Sequence, residues 1–454
     1  MIRPAATRAA GRLLGLAALA LAMAAHGTPA AAMTLEEELS LLLKQHPQIQ
    51  ADRQEVNASN EEIRKSFSGY LPSVTLNADA GPEYIDSPVT RARNLNPDDF
   101  TRTRNVAGVT VTQNLFRGFG TQSAVKTARL NADIAGINLN ATTQNTLFEG
   151  IGAFIDVLRQ QELVRLAVRN EDTIQKQLHL EDERVQRGSG VAVDVLQAKS
   201  RLQISKERRV TFEGARIDAE TRFEQVFGHS PNGETLADPL VPVDLLPATL
   251  DAAVSMALSQ NPAVSNSQTT IEVARVQQKA ARSDLFPSID LVGAANYEKH
   301  KNAIVGTRRD YSVLLKATWN IFSGFSTKAG INQAAYNYHA SKDRHEYVTR
   351  KIMEQTRLAW QAMVTARERV ALLENAVNIA TEVFNSRKKL REAGKETVIN
   401  VLDAENEIYN AQINLTSARF DHKLAVYQLL LAMGRLDAER LGLTVADGTQ
   451  PAAQ

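Results

Sequence analysis

Cysteine is absent from all 454 residues. That excludes disulfides, thiolate metal sites and a cysteine nucleophile. It also excludes the lipid that bacterial lipoproteins carry on a first mature cysteine. Long apolar runs are missing as well. Beyond the first 32 residues the longest candidate, Leu424 to Met433, is broken by Gln428 and falls short of the roughly 18–20 residues a membrane-spanning helix needs. Any crossing of a bilayer would have to use β-strands closed into a barrel, which satisfy every backbone group without water. Charge of one sign is not in excess, with 52 Lys and Arg against 51 Asp and Glu. A nucleic-acid partner is therefore not expected, since such binders are usually strongly basic.

Catalytic signatures are missing too. There is no Gly-x-x-x-x-Gly-Lys phosphate loop, no His-Glu-x-x-His zinc pair and no Gly-x-Ser-x-Gly elbow. Gly228-His229-Ser230 lacks the closing glycine, and the eight histidines are scattered. No enzyme activity, metal or cofactor is expected.

What is present begins with an export leader over residues 1–32. Arg3, Arg8 and Arg12 precede a short apolar core, Leu13 to Ala25, and Ala30-Ala31-Ala32 offers a cleavage site. A mature start at Met33 is expected.

The rest of the chain is written twice. His46-Pro47, Leu71-Pro72-Ser73 and Leu115-Phe116-Arg117-Gly118-Phe119 return as Asn261-Pro262, Phe286-Pro287-Ser288 and Ile321-Phe322-Ser323-Gly324-Phe325. Gly188 followed by Asp194-Val195-Leu196 returns as Gly394 followed by Asn400-Val401-Leu402. Pro47 to Pro262 is 215 residues and Gly118 to Gly324 is 206, so the first copy holds nine extra residues between Pro72 and Leu115. Two copies of one supersecondary unit predict a pseudo-symmetric architecture. The expected division is a first repeat at 33–228, a connector at 229–248, a second repeat at 249–434 and a tail at 435–454.

Each copy alternates between two periodicities. Helices reach Pro72, which ends them; strand-like alternation then predicts strands at 73–85 and 106–116, with 86–103 as an exposed loop. The second copy predicts strands at 288–298 and 309–322. There Tyr311, Val313, Leu315, Ala317, Trp319 and Ile321 share one face, and Ser312, Lys316, Thr318 and Asn320 the other. Apolar outside and polar inside suits a lipid-facing wall around water; a half-buried hairpin of a soluble protein is the other reading. Four strands cannot close a barrel alone, so the sheet packs on protein or several subunits pool strands. Proline-free stretches at 120–187 and 326–391 predict two helices of about 100 Å each at about 1.5 Å per residue. Such helices need coiled-coil-like partners, supplied by shorter helices at 191–227 and 397–433 after turns at Gly188, Gly190 and Gly394.

These duplicated elements resemble the TolC family of outer-membrane efflux and secretion channels over nearly the whole mature chain. The missing lipidation cysteine makes the chain similar to the unlipidated members, which include exit ducts of type I protein secretion. The resemblance implies a homotrimer in which each subunit gives four strands to a 12-stranded outer-membrane barrel, above an α-helical tunnel across the periplasm. It implies a periplasmic adaptor and an inner-membrane ABC or proton-driven transporter as partners.

It also implies roles for residues. Asp194 matches the acidic position of the first helix turn at the periplasmic entrance. The second turn, where the family's best-known member has two aspartates, reads Asn400 and Asp403, so one acidic ring replaces two. Three-fold symmetry would make each such residue a ring favouring cations; alternatively, Asp194 and Asp403 are carboxylates that favour helix starts. Where the family has a basic residue after the turn glycine, Glu396 stands here and Arg391 lies before the turn. Arg391, Glu396 and Asp194 are expected to form a charge network that loosens when an adaptor docks. Tyr84, Tyr297, Tyr311 and Trp319 are expected at the lipid interface or packed between elements. The competing reading is a soluble periplasmic coiled-coil adaptor, which would need no detergent.

Overall fold

The computed structural model describes residues 34–92, 101–231 and 236–443. The expected leader, residues 93–100 of the expected loop, the connector residues 232–235 and the tail beyond 443 lie outside the described residues. The chain runs α1 (Leu35–Gln45), α2 (Pro47–Phe67), β1 (Ser73–Tyr84), α3 (Pro88–Ala92), β2 (Thr101–Arg117), α4 (Gly120–Gln186), α5 (Ala192–Phe227), α6 (Leu250–Gln260), α7 (Pro262–Ala281), β3 (Ser288–Lys299), β4 (Thr307–Thr318), α8 (Ser326–Glu392) and α9 (Val398–Ala432). The expected class, mainly helical with four strands per chain, is the one observed.

Local chemistry sets the boundaries. Thr34 and Glu37 cap α1 reciprocally, hydroxyl to Glu37 N at 3.3 Å and carboxylate to Thr34 N at 3.2 Å. Pro47 and Pro262 open α2 and α7 at the first helical position, where a missing N–H costs nothing. Asn261 accepts from Ala263 N at 2.9 Å while its amide donates to Ala432 O, which pins the start of α7 to the end of α9.

Helices α4 and α5, and α8 and α9, form two antiparallel hairpins, with α2 and α7 laid on the long helices. The main core sits where the small helices meet them: Leu39 and Leu42 of α1, Leu147, Ile151 and Phe154 of α4, Phe223 of α5, and Leu429 and Leu430 of α9. Gly150 permits the close approach, because a Cβ there would fall 2.7 Å from Leu42 Cδ2. Connector and tail join this region: the Tyr427 hydroxyl donates to Leu240 O and Arg435 to Leu245 O. Further along the hairpins the core thins to a seam through Leu163, Leu166 and Tyr409, then Ile174, Leu178, Ala198, Leu202 and Leu402, as expected of coiled-coil packing.

The strands form one antiparallel sheet in the order β1-β2-β3-β4. Two expected boundaries are corrected. Strand β2 begins at Thr101, because Thr101–Asn105 pair with Ala80–Tyr84; the polar run containing Arg102 and Arg104 is strand, not loop. Strand β4 stops at Thr318 rather than residue 322. Its partner β3 begins at Ser288, opposite Thr318, and the preceding Pro287 has no N–H to extend the ladder. Trp319 instead donates its indole N–H to Leu285 O at 3.2 Å.

Candidate functional site

Both helix hairpins turn through the same backbone motif. Ser189 N donates to Arg184 O and Gly188 N to Val185 O, each at 3.0 Å; Lys395 N donates to Leu390 O at 2.9 Å and Gly394 N to Arg391 O at 3.0 Å. Gly188 and Gly394 both have φ +73°, the left-handed conformation this cap requires. Gly190 is needed for space, since a Cβ would lie 2.7 Å from Val185 N.

Between the two turns, arginines fasten one hairpin to the other. Arg391 of α8 reaches Glu181 of α4 at 2.8 Å and Asp194 of α5 at 3.4 Å, and also donates to Glu396 O at 3.1 Å. Arg201 of α5 reaches Asp403 of α9 at 2.6 Å, and Arg208 donates to Asn406 at 3.0 Å. The sequence predicts Arg391, Asp194 and Glu396 in one network. The structure brings Arg391 and Asp194 together, but Glu396 takes part through its carbonyl. Its carboxylate faces the other way, accepting from Asn400 Nδ2 at 2.5 Å and Thr397 N at 3.0 Å; the Asn400 amide, then the Thr397 N–H, hold its pKa below the usual carboxylate value.

Glu181, Arg201 and Arg208 escaped the sequence reading. A signal exists in the duplication: positions 206 apart carry opposite charges at Glu181 and Arg387 and at Arg201 and Glu407. Each carboxylate of the expected acidic rings, Asp194 and Asp403, has an arginine partner within the chain. Among the described residues no group of side chains could hold a metal ion.

The second feature is the sheet surface. Register aligns Val74, Val111, Gly293 and Val313 across all four strands on one face, then Leu76, Val109, Ala295 and Tyr311. Leu76 is 71% exposed and Val313 77%, so this apolar face is bare. The other face carries Asn77, Gly108, Asn296 and Asp310 in one row, with Asn296 donating to Asp310 at 2.9 Å. Gly108 leaves room for the Asn296 side chain, which a Cβ would meet at 2.4 Å. Tyr84, Tyr297 and Tyr311 alternate onto the apolar face; Trp319 follows just beyond the end of β4.

Strands pass into long helices through two matched reversals. Gly118 and Phe119, then Gly324 and Phe325, all have positive φ. The Phe116–Phe119 rings meet edge-on at 5.5 Å and Phe322–Phe325 at 5.6 Å. Among the described residues, only the first pair receives a third ring, Phe286, at 6.4 and 6.2 Å.

Among the described residues no helix is long and apolar enough to cross a membrane. The chain is similar over 92% of its length to the outer membrane efflux protein BepC of Brucella suis, at 27% identity and covering 89% of that protein. It is 23% identical to the alkaline protease secretion protein AprF of Pseudomonas aeruginosa, across 92% of this chain and 87% of that one. Its fold matches the crystal structure of the outer membrane protein VceC of Vibrio cholerae with a TM-score of 0.76 at 14% identity, covering 88% of this chain and 96% of that one. The model of the outer membrane efflux protein family matches residues 39–229 and 253–435, one segment for each copy of the internal repeat, and the chain belongs to that family of non-enzymatic outer-membrane channels.

Proposed function

We propose that three copies of this chain assemble into one conduit from periplasm to exterior, with a twelve-stranded barrel above a tunnel of six helix hairpins. One observation carries the reading. Gly118 is buried, because α7 and the turn after it cover the first reversal: a Cβ on Gly118 would fall 2.3 Å from Ser283 O. Gly324, the matching residue of the second reversal, has nothing within 4 Å of its Cβ position. The segment equivalent to Ser283 is Ser68, which lies at the far edge of the sheet beside β1. In the assembly, Ser68 of a neighbouring copy covers Gly324. Two copies would give eight strands, whose interior side chains fill; twelve leave a lumen.

In this reading the repeats at 33–228 and 249–434 are equivalent units of the wall, and the connector and tail brace their junction. Tyr84, Tyr297, Tyr311 and Trp319 lie at the lipid interface. The turns at Gly188 and Gly394 form the periplasmic entrance. Asp194, Asn400 and Asp403 face it, compensated by Arg391 and Arg201 while the hairpins are fastened and uncovered as cation-attracting rings when they part. A periplasmic adaptor docking on the hairpins and an inner-membrane transporter complete the export machine. The protease-secretion names of AprF and of PrtF from Dickeya chrysanthemi favour polypeptide cargo, alongside efflux of small molecules.

The test is conductance in planar bilayers. The wild-type chain should form small, mostly closed channels from particles of three times the protomer mass. Arg391→Ala removes the guanidinium that ties Glu181 and Asp194 to α8, while Glu181 keeps Arg184 at 2.7 Å. It should raise the open fraction and the cation preference together. An unchanged open fraction in the variant would remove the entrance role.

A further inference from the structure

The outward end of the sheet, away from the helices, is rich in arginine and lysine, and its cations divide by face. On the polar face Arg104 is held by Asp79 at 3.0 Å and Glu83 at 3.2 Å, and Arg308 lies 3.5 Å from Asp310. Lys301 in the hairpin turn pairs with Glu298. Each of these charges is answered by a carboxylate of the same chain.

Lys299 and Arg309 differ. The two-residue period of the strands places both on the apolar face, Arg309 opposite Tyr297 and Lys299 opposite Thr307. Both are exposed, and neither has a carboxylate partner among the described residues. The Arg309 guanidinium lies 5.9 Å from the Tyr297 ring centroid, which orients its planar donor fork.

Their depth is informative. From Arg309 to Trp319 is ten residues, about 33 Å of strand. Tilted by about 40°, that spans about 25 Å, the height of a barrel's apolar band. Arg309 and Lys299 therefore stand at the outer border of the hydrocarbon, where two uncompensated cations need an anion supplied by the bilayer.

We propose that Lys299, Tyr297 and Arg309 on each chain form a docking site for the phosphate of an outer-leaflet lipid headgroup. The proposal rests on the reading that the apolar face contacts lipid. Arg309 supplies two parallel N–H donors, Lys299 a mobile point charge, and the Tyr297 ring a platform that keeps the guanidinium at headgroup height.

The experiment uses the full-length chain reconstituted in phosphatidylcholine vesicles doped with diphosphorylated lipid A or with the same lipid dephosphorylated. Lipid retained through mild detergent extraction is read by native mass spectrometry. The wild type should keep the phosphorylated lipid at least about tenfold better than the dephosphorylated one, and this comparison requires no variant to fold. The double substitution Lys299→Gln with Arg309→Gln should abolish the preference, whereas Arg308→Gln on the polar face should leave it intact. Millimolar inorganic phosphate should not displace the lipid; displacement would mean a free-anion site and overturn the proposal. Equal retention of the two lipids by wild-type protein would overturn it as well. Failure of the wild type to enter vesicles of phosphatidylcholine alone would instead count against the membrane reading on which it rests.

Discussion

Helices α4 and α8 have the same length, 67 residues, and leave the sheet through the same Phe-x-Gly-Phe reversal, yet their surroundings differ. The chain buries eighteen residues of α4 but seven of α8. Phe116 is half-buried at the first reversal, and Phe322 is 72% exposed at the second. Equivalent sequence in unequal cover is what the proposed assembly accounts for, with a neighbouring copy supplying the missing cover. Strand order makes the same point, because β1 and β4 are the two free edges of the sheet. The first reversal is finished within a protomer, and in the proposed assembly a neighbouring copy finishes the second.

The largest expected effects come from separating those two completions. Gly118→Val places a side chain 2.3 Å from Ser283 O at a φ of +54°. Strain and overpacking there should exceed about 3 kcal/mol and lower protomer stability itself, read as a fall in unfolding midpoint. Gly324→Val meets open space in the single chain, so beyond the cost of its positive φ the protomer should fold. Its loss should appear as failure to assemble, measured by mass in detergent. If both variants lose stability alike and assemble alike, the contrast between the halves is broken.

The sheet offers the next test, face against face. Val313→Arg puts a charge on the bare apolar face and should cost about 2–4 kcal/mol of membrane stability if that position lies near mid-bilayer. Ser312→Arg, one residue away on the polar face, should cost far less. Equal penalties, read from urea unfolding in vesicles, would deny the difference between the faces.

A smaller effect sharpens the comparison between the two shorter helices, where the order reverses: α9 buries fourteen residues and α5 eight. Glu405 of α9 is 6% exposed, whereas Lys199, its counterpart 206 residues earlier, is exposed. Burial, partly opposed by the Gln177 amide, pushes the Glu405 pKa up to about 7. Between the ordinary value near 4.5 and about 7 the folded state holds a proton that the unfolded state has lost, so stability should fall as pH rises through that window. Glu405→Gln should remove this slope and raise stability above pH 7 by roughly 2–3 kcal/mol. A slope that persists in the variant would assign it to other groups.

Much of this was legible in the chain. The repeated Pro-Ser strand starts, the Phe-x-Gly-Phe reversals and the proline-free helical stretches mark their elements directly. So does the alternation of Tyr311, Val313 and Leu315, because a two-residue period has one physical meaning at that length. The start of β2 was hidden because Arg102 and Arg104 look like loop residues until their face is known to be the polar one. The end of β4 depended on where its partner begins, which no local pattern states. Near the two helix turns, local motifs pointed to Asp194, Asp403 and Arg391. The pairs Arg391–Glu181 and Arg201–Asp403 join residues 210 and 202 apart, and only the docking of the two hairpins brings them together. The sequence reading also gave Glu396 a side-chain part in that network, but the neighbouring Asn400 amide and Thr397 N–H hold its carboxylate elsewhere.

A covalent link between copies tests the central claim most directly, and a chain without cysteine suits it. A Cβ on Gly120 would lie 3.6 Å from Ser283 Cβ within one chain, a spacing that permits a disulfide. The equivalent residues at the bare reversal are Ser326 and Ser68. Oxidation of the Ser68→Cys, Ser326→Cys double variant in native membranes should link three chains into a closed ring, running as a single trimer on a denaturing gel. Disulfides confined within single chains, or a ladder extending past three, would contradict the account.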